Sequence, residues 1–169
     1  SLPERTVNRP FAIACMASLL LASATPVFAA AATPDKSTIS QEPFFAGLVT
    51  EAGRLKAKTE TFKPTPALLS QPDFPAYAQA IRALSAGDQQ GHKTLKARGT
   101  DNDLKCILTG LSRDLPVKLT AIQAAKNDAD MKTALTNMSE LLSDNIDVIV
   151  TPATTDSGLD CTLEFGPDA

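Results

Sequence analysis

Cys106, Cys161 and His92 are the side chains beyond the first thirty residues that are best suited to nucleophilic, redox or metal chemistry. The cysteines lie 55 positions apart, so they form neither a CxxC redox motif nor a CxxCH haem-attachment motif. Two thiols and one imidazole are too few for a four-ligand zinc site without carboxylates. An even pair of cysteines is typical of a disulfide when a protein matures in an oxidising compartment. We therefore predict a Cys106–Cys161 disulfide and neither a metal nor a cofactor.

The remaining ionisable groups do not suggest a catalytic centre. His92 lies in the polar stretch DQQGHKTLKARG, and no GxSxG or comparable nucleophile motif occurs, so we expect a surface histidine. Three carboxylate pairs could do acid–base work or bind Ca²⁺: Asp101 with Asp103, Asp128 with Asp130, and Asp144 with Asp147. The first two pairs begin predicted helices, where acidic side chains cap free N–H groups. We therefore interpret them as caps.

The first thirty residues have the pattern of an export signal. Arg5 and Arg9 form a basic region, followed by the apolar run FAIACMASLLLA and the small residues of a signal-peptidase site. We predict a signal peptide over residues 1–29, cleaved after Ala29, with Ala31 as the alternative. The apolar run is shorter than the roughly 20 residues that a spanning helix needs. We therefore expect no membrane span after cleavage and a location in the periplasm of a Gram-negative bacterium, or secretion.

Charge and aromatic content argue against a nucleic-acid partner. Without residues 1–29 the chain carries 14 Lys and Arg against 18 Asp and Glu, a net charge of −4. This balance gives no counterion-release drive toward DNA or RNA. The six aromatic residues that remain are not interleaved with a basic stretch, so a base-stacking surface is not expected.

Apolar residues of the segment 41–169 recur at the spacing of amphipathic helices. Ser40 and Asp73 can cap the first two helices, Gly87 can end the second, and Pro116 can begin a fourth. The stretch 88–99 could continue the second helix after a kink. Predicted helices therefore cover 44–55, 74–86, 104–115, 116–125 and 131–149. We predict an all-α fold, a single domain of four or five helices after a flexible segment over residues 30–40.

The C-terminal part allows two interpretations. IDVIV at 146–150 is β-branched and could pair with LDCTLEF, which would give an α+β fold with a hairpin over 146–165. We favour a helix because Ile146 and Ile149 stay in phase with the preceding apolar stripe. The tail after it is then extended.

The position of Cys106 predicts how this tail is held. With Leu104 at zero, the other leucines of the helix over 104–115 lie within about 60°, whereas Cys106 lies near 200°, on the opposite face. Alternate residues of LDCTLEF, including Cys161, share one side of an extended strand. We predict that the tail lies across the back of this third helix and is tied to it by the disulfide.

No reaction follows from these patterns, so we interpret the protein as a non-catalytic binding protein, such as an adaptor, inhibitor or chaperone-like factor. It would act on a protein partner through a helical face. The candidate patch is Phe44 and Phe45, because two adjacent rings cannot both point at one core. The alternative is that both rings are buried between two neighbouring elements. One alternative is a carrier of an apolar ligand or haem, since Met131 and Met138 lie on a buried stripe of a bundle. A carboxylate-only enzyme is less favoured.

Overall fold

The computed structural model describes residues 38–99, 103–153, 157–158 and 161–162. The predicted signal peptide and residues 30–37 of the predicted flexible segment lie outside these ranges. The elements are α1 (Thr38–Gln41), α2 (Pro43–Thr61), a 3-10 helix (Pro66–Ser70), α3 (Phe74–Arg98), α4 (Leu104–Ala124) and α5 (Asp128–Val150). The predicted all-α fold is confirmed, and the described residues contain no strand. The hairpin alternative is wrong over 146–150, because these residues continue α5.

Contacts between the long helices show an up-down-up-down bundle. Thr59 on α2 hydrogen-bonds Tyr77 on α3 at 2.8 Å, and Glu42 on α2 pairs with Arg98 on α3 at 2.7 Å. Early residues of one helix therefore meet late residues of the next. The same antiparallel arrangement relates α3 to α4, where Ser85 contacts Ser112 and His92 contacts Lys105. It also relates α2 to α5, where Gly53 lies near Ile146 and Glu60 contacts Ser139. Because α5 packs on both α4 and α2, the four helices enclose one core.

The core contains the apolar stripes of all four helices. Its largest fully buried side chains are Phe45 and Leu55 of α2, Leu68 of the 3-10 helix, Ile81, Leu84 and Leu95 of α3, Leu104, Leu108, Leu115 and Ile122 of α4, and Met131 and Met138 of α5. None of the described helices combines the length and apolar character that a bilayer crossing requires.

Helix α3 does not end at Gly87 as predicted; it continues to Arg98. A Cβ at Gly87 would lie 2.6 Å from Leu48 Cδ2, and one at Gly91 would lie 3.3 Å from Phe45 Cε1. These glycines therefore allow α2 to approach α3 closely inside a continuous helix. The helix ends at Gly99, whose φ of 65° is the left-handed conformation that favours glycine at a C-cap.

Pro116 does not begin a separate helix, because α4 runs unbroken from Leu104 to Ala124. Proline has no N–H, so the carbonyl of Ser112, four residues earlier, has no helical donor. The hydroxyl of Ser85 on α3 donates to this carbonyl at 2.5 Å. Helix α3 thus supplies the hydrogen bond to the Ser112 carbonyl that the backbone of α4 cannot provide.

Two predicted caps are also wrong. Ser40 lies inside the short helix α1, and Glu42 occupies the N-cap position of α2. Asp73 occupies the N-cap position of α3, but its side chain makes no capping hydrogen bond and instead forms an ion pair with Lys58. The Lys58 ammonium holds the pKa of Asp73 below its usual range.

The start of α5 is capped by an amide rather than by the predicted carboxylates. Asn127 Oδ1 accepts a hydrogen bond from the backbone N–H of Asp130 at 2.9 Å. Asp128 and Asp130 lie in the first turn, where their charges face the positive end of the helix dipole. No ligand is needed to explain this pair.

Candidate functional site

A covalent and a polar contact hold the C-terminal segment against the start of α4. Cys106 and Cys161 are joined in a disulfide with their Cα atoms 5.1 Å apart. Asp103 Oδ1, just before α4, accepts hydrogen bonds from the Ser157 backbone N–H at 3.1 Å and from its hydroxyl at 2.9 Å. Asp103 was predicted to cap the helix, but its side chain binds this segment instead.

The disulfide lies apart from the leucine core, as the helical angle of Cys106 predicts. Both cysteines are buried, and they form a separate small cluster. The predicted extended conformation is wrong at Cys161 and Thr162, which have helical backbone conformation. Leu159, Leu163 and Phe165 lie outside the described residues. The disulfide therefore lies in the predicted place, but the backbone at Cys161 and Thr162 differs from the predicted extended conformation.

His92 is buried in the α3–α4 interface and is not the surface residue that the sequence predicts. Its side chain is 1% exposed, and its Nδ1–H donates to the carbonyl oxygen of Lys105 at 2.6 Å. Burial lowers the pKa of His92, and the nearby cations Lys93, Lys96 and Lys105 lower it further, while the hydrogen bond opposes them. The imidazole thus forms a hydrogen bond between α3 and α4.

A row of polar side chains extends this interface along the bundle. Gln89 Oε1 on α3 accepts hydrogen bonds at 2.9 Å from the hydroxyls of both Thr109 and Ser112 on α4. Together with the bonds from Ser85 and His92, these contacts fix the register of the two helices. We interpret this row as part of the packing between the two helices, because each of these polar groups already has a hydrogen-bond partner within the chain.

A second buried polar contact crosses the core from α3 to α5. Asn145 Nδ2 donates to Asp88 Oδ2 at 2.5 Å, and both side chains are 0% exposed. The second carboxylate oxygen, Asp88 Oδ1, and the amide oxygen, Asn145 Oδ1, have no hydrogen-bond partner. Burial raises the pKa of Asp88 to about 7, although the Asn145 hydrogen bond opposes the shift. No local sequence pattern indicates this pair.

A surface groove lies between the end of α2 and the first half of α5, with a volume of about 340 Å³. We call it the α2–α5 groove. Its lining residues are Thr59, Glu60, Phe62, Pro64, Lys132, Leu135, Thr136, Ser139 and Glu140. Phe62 and Leu135 are nearly buried and supply an apolar floor. The volume is within the usual range of ligand sites, but the polar rim is unlike that of a small-molecule pocket.

The charged groups of this groove fall into two kinds. Glu60 is already paired: it binds Lys56 at 2.6 Å and accepts a hydrogen bond from the Ser139 hydroxyl at 2.9 Å. Lys132 and Glu140 on α5 form no ion pair with any residue that the structure describes. They lie eight positions apart, which is about 12 Å along a helix. Within the described part of the chain, the groove therefore presents one cation and one anion without ion-pair partners, with their Cα atoms about 12 Å apart on one helix.

The predicted Phe44–Phe45 patch is divided between surface and core. Phe45 is 0% exposed, so its inclusion in an exposed patch is wrong, whereas Phe44 is 41% exposed. The two rings meet edge to face with centroids 5.1 Å apart. Phe44 alone remains as a candidate contact residue, and one ring is too small to define a patch.

The other candidate residues lie in the core, on the surface or outside the described residues. Met131 and Met138 are fully buried core residues of α5. Asp144 and Asp147 are exposed on α5, and Asp101 lies outside the described residues. Among the residues that the structure describes, no three His, Cys, Asp or Glu side chains cluster as a metal site would require. The chain matches no protein-family model, no curated protein and no solved structure.

Proposed function

We propose that this is an exported, non-catalytic binding protein that receives an extended segment of a partner protein in the α2–α5 groove. The observation that carries the proposal is the pair of unpaired opposite charges, Lys132 and Glu140, on either side of the nearly buried Leu135. Both residues belong to one helix of a packed bundle, so the spacing of their Cα atoms is set before a partner binds. A preorganised backbone of this kind reduces the entropy cost of association.

The spacing specifies the kind of segment that would fit. An extended peptide rises about 3.3 Å per residue, so about four residues span the roughly 12 Å between the two charges. An acidic side chain would then lie opposite Lys132 and a basic one opposite Glu140. An apolar side chain between them would contact Leu135 and Phe62. The expected partner motif is therefore an acidic and a basic residue four positions apart with an apolar residue between them.

The exported part of the proposal is supported by the leader pattern and by the disulfide. The basic–apolar–small pattern of residues 1–29 and the Cys106–Cys161 bond both agree with an oxidising compartment, which we propose is the periplasm of a Gram-negative bacterium. Expression of the full chain in such a host should give a product that begins at Ala30 or Ala32. Recovery of uncleaved chain from the cytoplasm would contradict export.

A peptide-library selection on the immobilised protein tests the binding proposal. We expect enriched peptides to carry opposite charges four residues apart around an apolar residue, in one order along the peptide. The double variant Lys132→Glu with Glu140→Lys keeps the net charge and should enrich the inverted order. The matched control, Asp114→Lys with Lys118→Glu on α4, should leave the order unchanged because neither residue lines the groove.

The same preparation tests the alternative of a carrier for an apolar ligand or haem. Such a carrier should co-purify with lipid or show a Soret band, and its ligand should not depend on the groove charges. A protein that co-purifies with an apolar ligand and enriches no charge-ordered peptide would overturn the proposed function.

A further inference from the structure

The contact between Asp88 and Asn145 leaves two oxygens without partners in the centre of the bundle. Asn145 Nδ2 donates to Asp88 Oδ2, while Asp88 Oδ1 and Asn145 Oδ1 are both buried and unpaired. An ionised carboxylate only accepts hydrogen bonds, so it could satisfy neither of these oxygens. Buried polar groups without partners are rare because each carries the full cost of desolvation.

One added proton would satisfy both oxygens. A protonated carboxyl has one O–H donor and one carbonyl acceptor, which matches the acceptor and donor of a primary amide. With the proton on Asp88 Oδ1, that atom can donate to Asn145 Oδ1 while Oδ2 keeps its bond from Nδ2. We propose that Asp88 and Asn145 form a two-point acid–amide pair in which the folded protein retains a proton on Asp88, making the fold sensitive to pH.

The surroundings of the pair favour the neutral form. Gly87 and Gly91 flank Asp88 on α3, and the side chains nearest to them are apolar: Leu48 and Phe45 from α2 and Leu108 from α4. On α3 itself the neighbouring ionisable group is His92, one turn away, whose own pKa is lowered by burial. On α5 the acidic neighbours Asp144 and Asp147 are exposed. Burial without a cation raises the pKa of Asp88 to about 7, which agrees with the geometry.

The sign of the pH effect follows from the two states of the protein. Asp88 has an ordinary value of 3.8 when unfolded, so between this value and about 7 the folded state binds the proton more tightly. Its stabilising contribution is complete below pH 3.8 and is lost as the pH rises to about 7. From pH 5 to 6 the unfolding equilibrium constant attributable to Asp88 should therefore rise about tenfold, and the slope should decrease as the pH approaches 7.

The variant Asp88→Asn isolates this contribution. Its amide can make the same two bonds to Asn145 at every pH, so it imitates the protonated acid. We expect the ratio of unfolding constants, wild type over Asp88→Asn, to rise about tenfold from pH 5 to 6, more slowly near pH 7, and to level off above pH 8. His92 and the surface carboxylates are the same in both proteins, so their contributions cancel in this ratio. For the exposed control Asp144→Asn, the corresponding ratio should stay constant.

A direct titration keeps the proposal testable if Asp88→Asn does not fold. Carbon-13 NMR of the side-chain carboxyl groups in the full wild-type chain should show one aspartate that titrates with a midpoint near pH 7. A constant ratio for Asp88→Asn, or wild-type spectra in which every aspartate titrates below pH 5, would overturn the proposal.

Discussion

The hydroxyl of Ser85 donates to the carbonyl oxygen of Ser112 at 2.5 Å, and this is the carbonyl that Pro116 leaves without a helical donor. A hydrogen bond from α3 therefore compensates for a proline within α4. We predict that Ser85→Ala lowers the free energy of unfolding by about 1 kcal/mol, because the carbonyl then loses its partner.

A double-mutant cycle tests whether Pro116 is the reason for this bond. Pro116→Ala restores the N–H, so Ser85→Ala should cost much less in that background than in the wild type. Denaturant unfolding of the four proteins gives the coupling. An equal cost of Ser85→Ala in both backgrounds would contradict this account of α4.

The disulfide makes a second prediction about stability. It closes a loop of 55 residues between Cys106 and Cys161, and replacing both by serine should lower the free energy of unfolding by about 4 kcal/mol. The expected loss results from greater freedom of the unfolded chain, so the helical circular dichroism of the folded state should be retained. A loss below about 1 kcal/mol would show that the bond contributes little.

The buried imidazole of His92 should make the fold sensitive to acid. Its pKa is lowered in the folded state from an ordinary value of 6.5, so the unfolded chain binds the proton more tightly. The contribution of His92 is therefore present above pH 6.5 and is lost as the pH falls below it. This is opposite in sign to the effect of Asp88.

The variant His92→Asn separates this contribution, since its amide nitrogen can replace Nδ1 as donor to the Lys105 carbonyl. At pH 7.5 the variant should be less stable than the wild type by about 1–3 kcal/mol, because the smaller side chain leaves a cavity. We expect this difference to shrink between pH 6.5 and 5. A difference that does not change with pH over this range would contradict the assigned sign.

The adjacent residues Phe44 and Phe45 allow the stability contribution of a buried ring to be compared with that of an exposed ring. Phe45→Ala should destabilise the protein by about 3–5 kcal/mol, because the ring is fully buried. Phe44→Ala should cost less than about 1 kcal/mol, since much of that ring already contacts water. Thermal unfolding of both variants measures the difference, and similar costs would contradict their placement.

The sequence predicts those features that depend on local periodicity. The apolar stripes gave the helical class and its core, and the angle of Cys106 predicted a disulfide on the back of its helix. The predicted helix end at Gly87 and helix start at Pro116 were wrong, because contacts with neighbouring helices offset the destabilising effect of a glycine or a proline within a helix. Gly87 accommodates the approach of Leu48, and the effect of Pro116 is offset by Ser85.

The candidate site was less predictable because it depends on pairs from different helices. Lys132 and Glu140 are ordinary surface residues in the sequence, and they gain significance from the apolar floor that Phe62 contributes from beyond α2. Asp88 and Asn145 are 57 positions apart, so no local pattern joins them. His92 lies in a polar segment, and only the packing of α4 against α3 buries it.

Binding of one selected peptide to the groove, and its dependence on charge order, is the most direct test of the proposed function. Fluorescence anisotropy would compare the peptide and its charge-inverted form on the wild type and on the Lys132→Glu, Glu140→Lys variant. Reversing two exposed charge pairs should weaken binding about tenfold, and inverting the peptide as well should restore it. Equal affinity in all four combinations would contradict recognition by the α2–α5 groove.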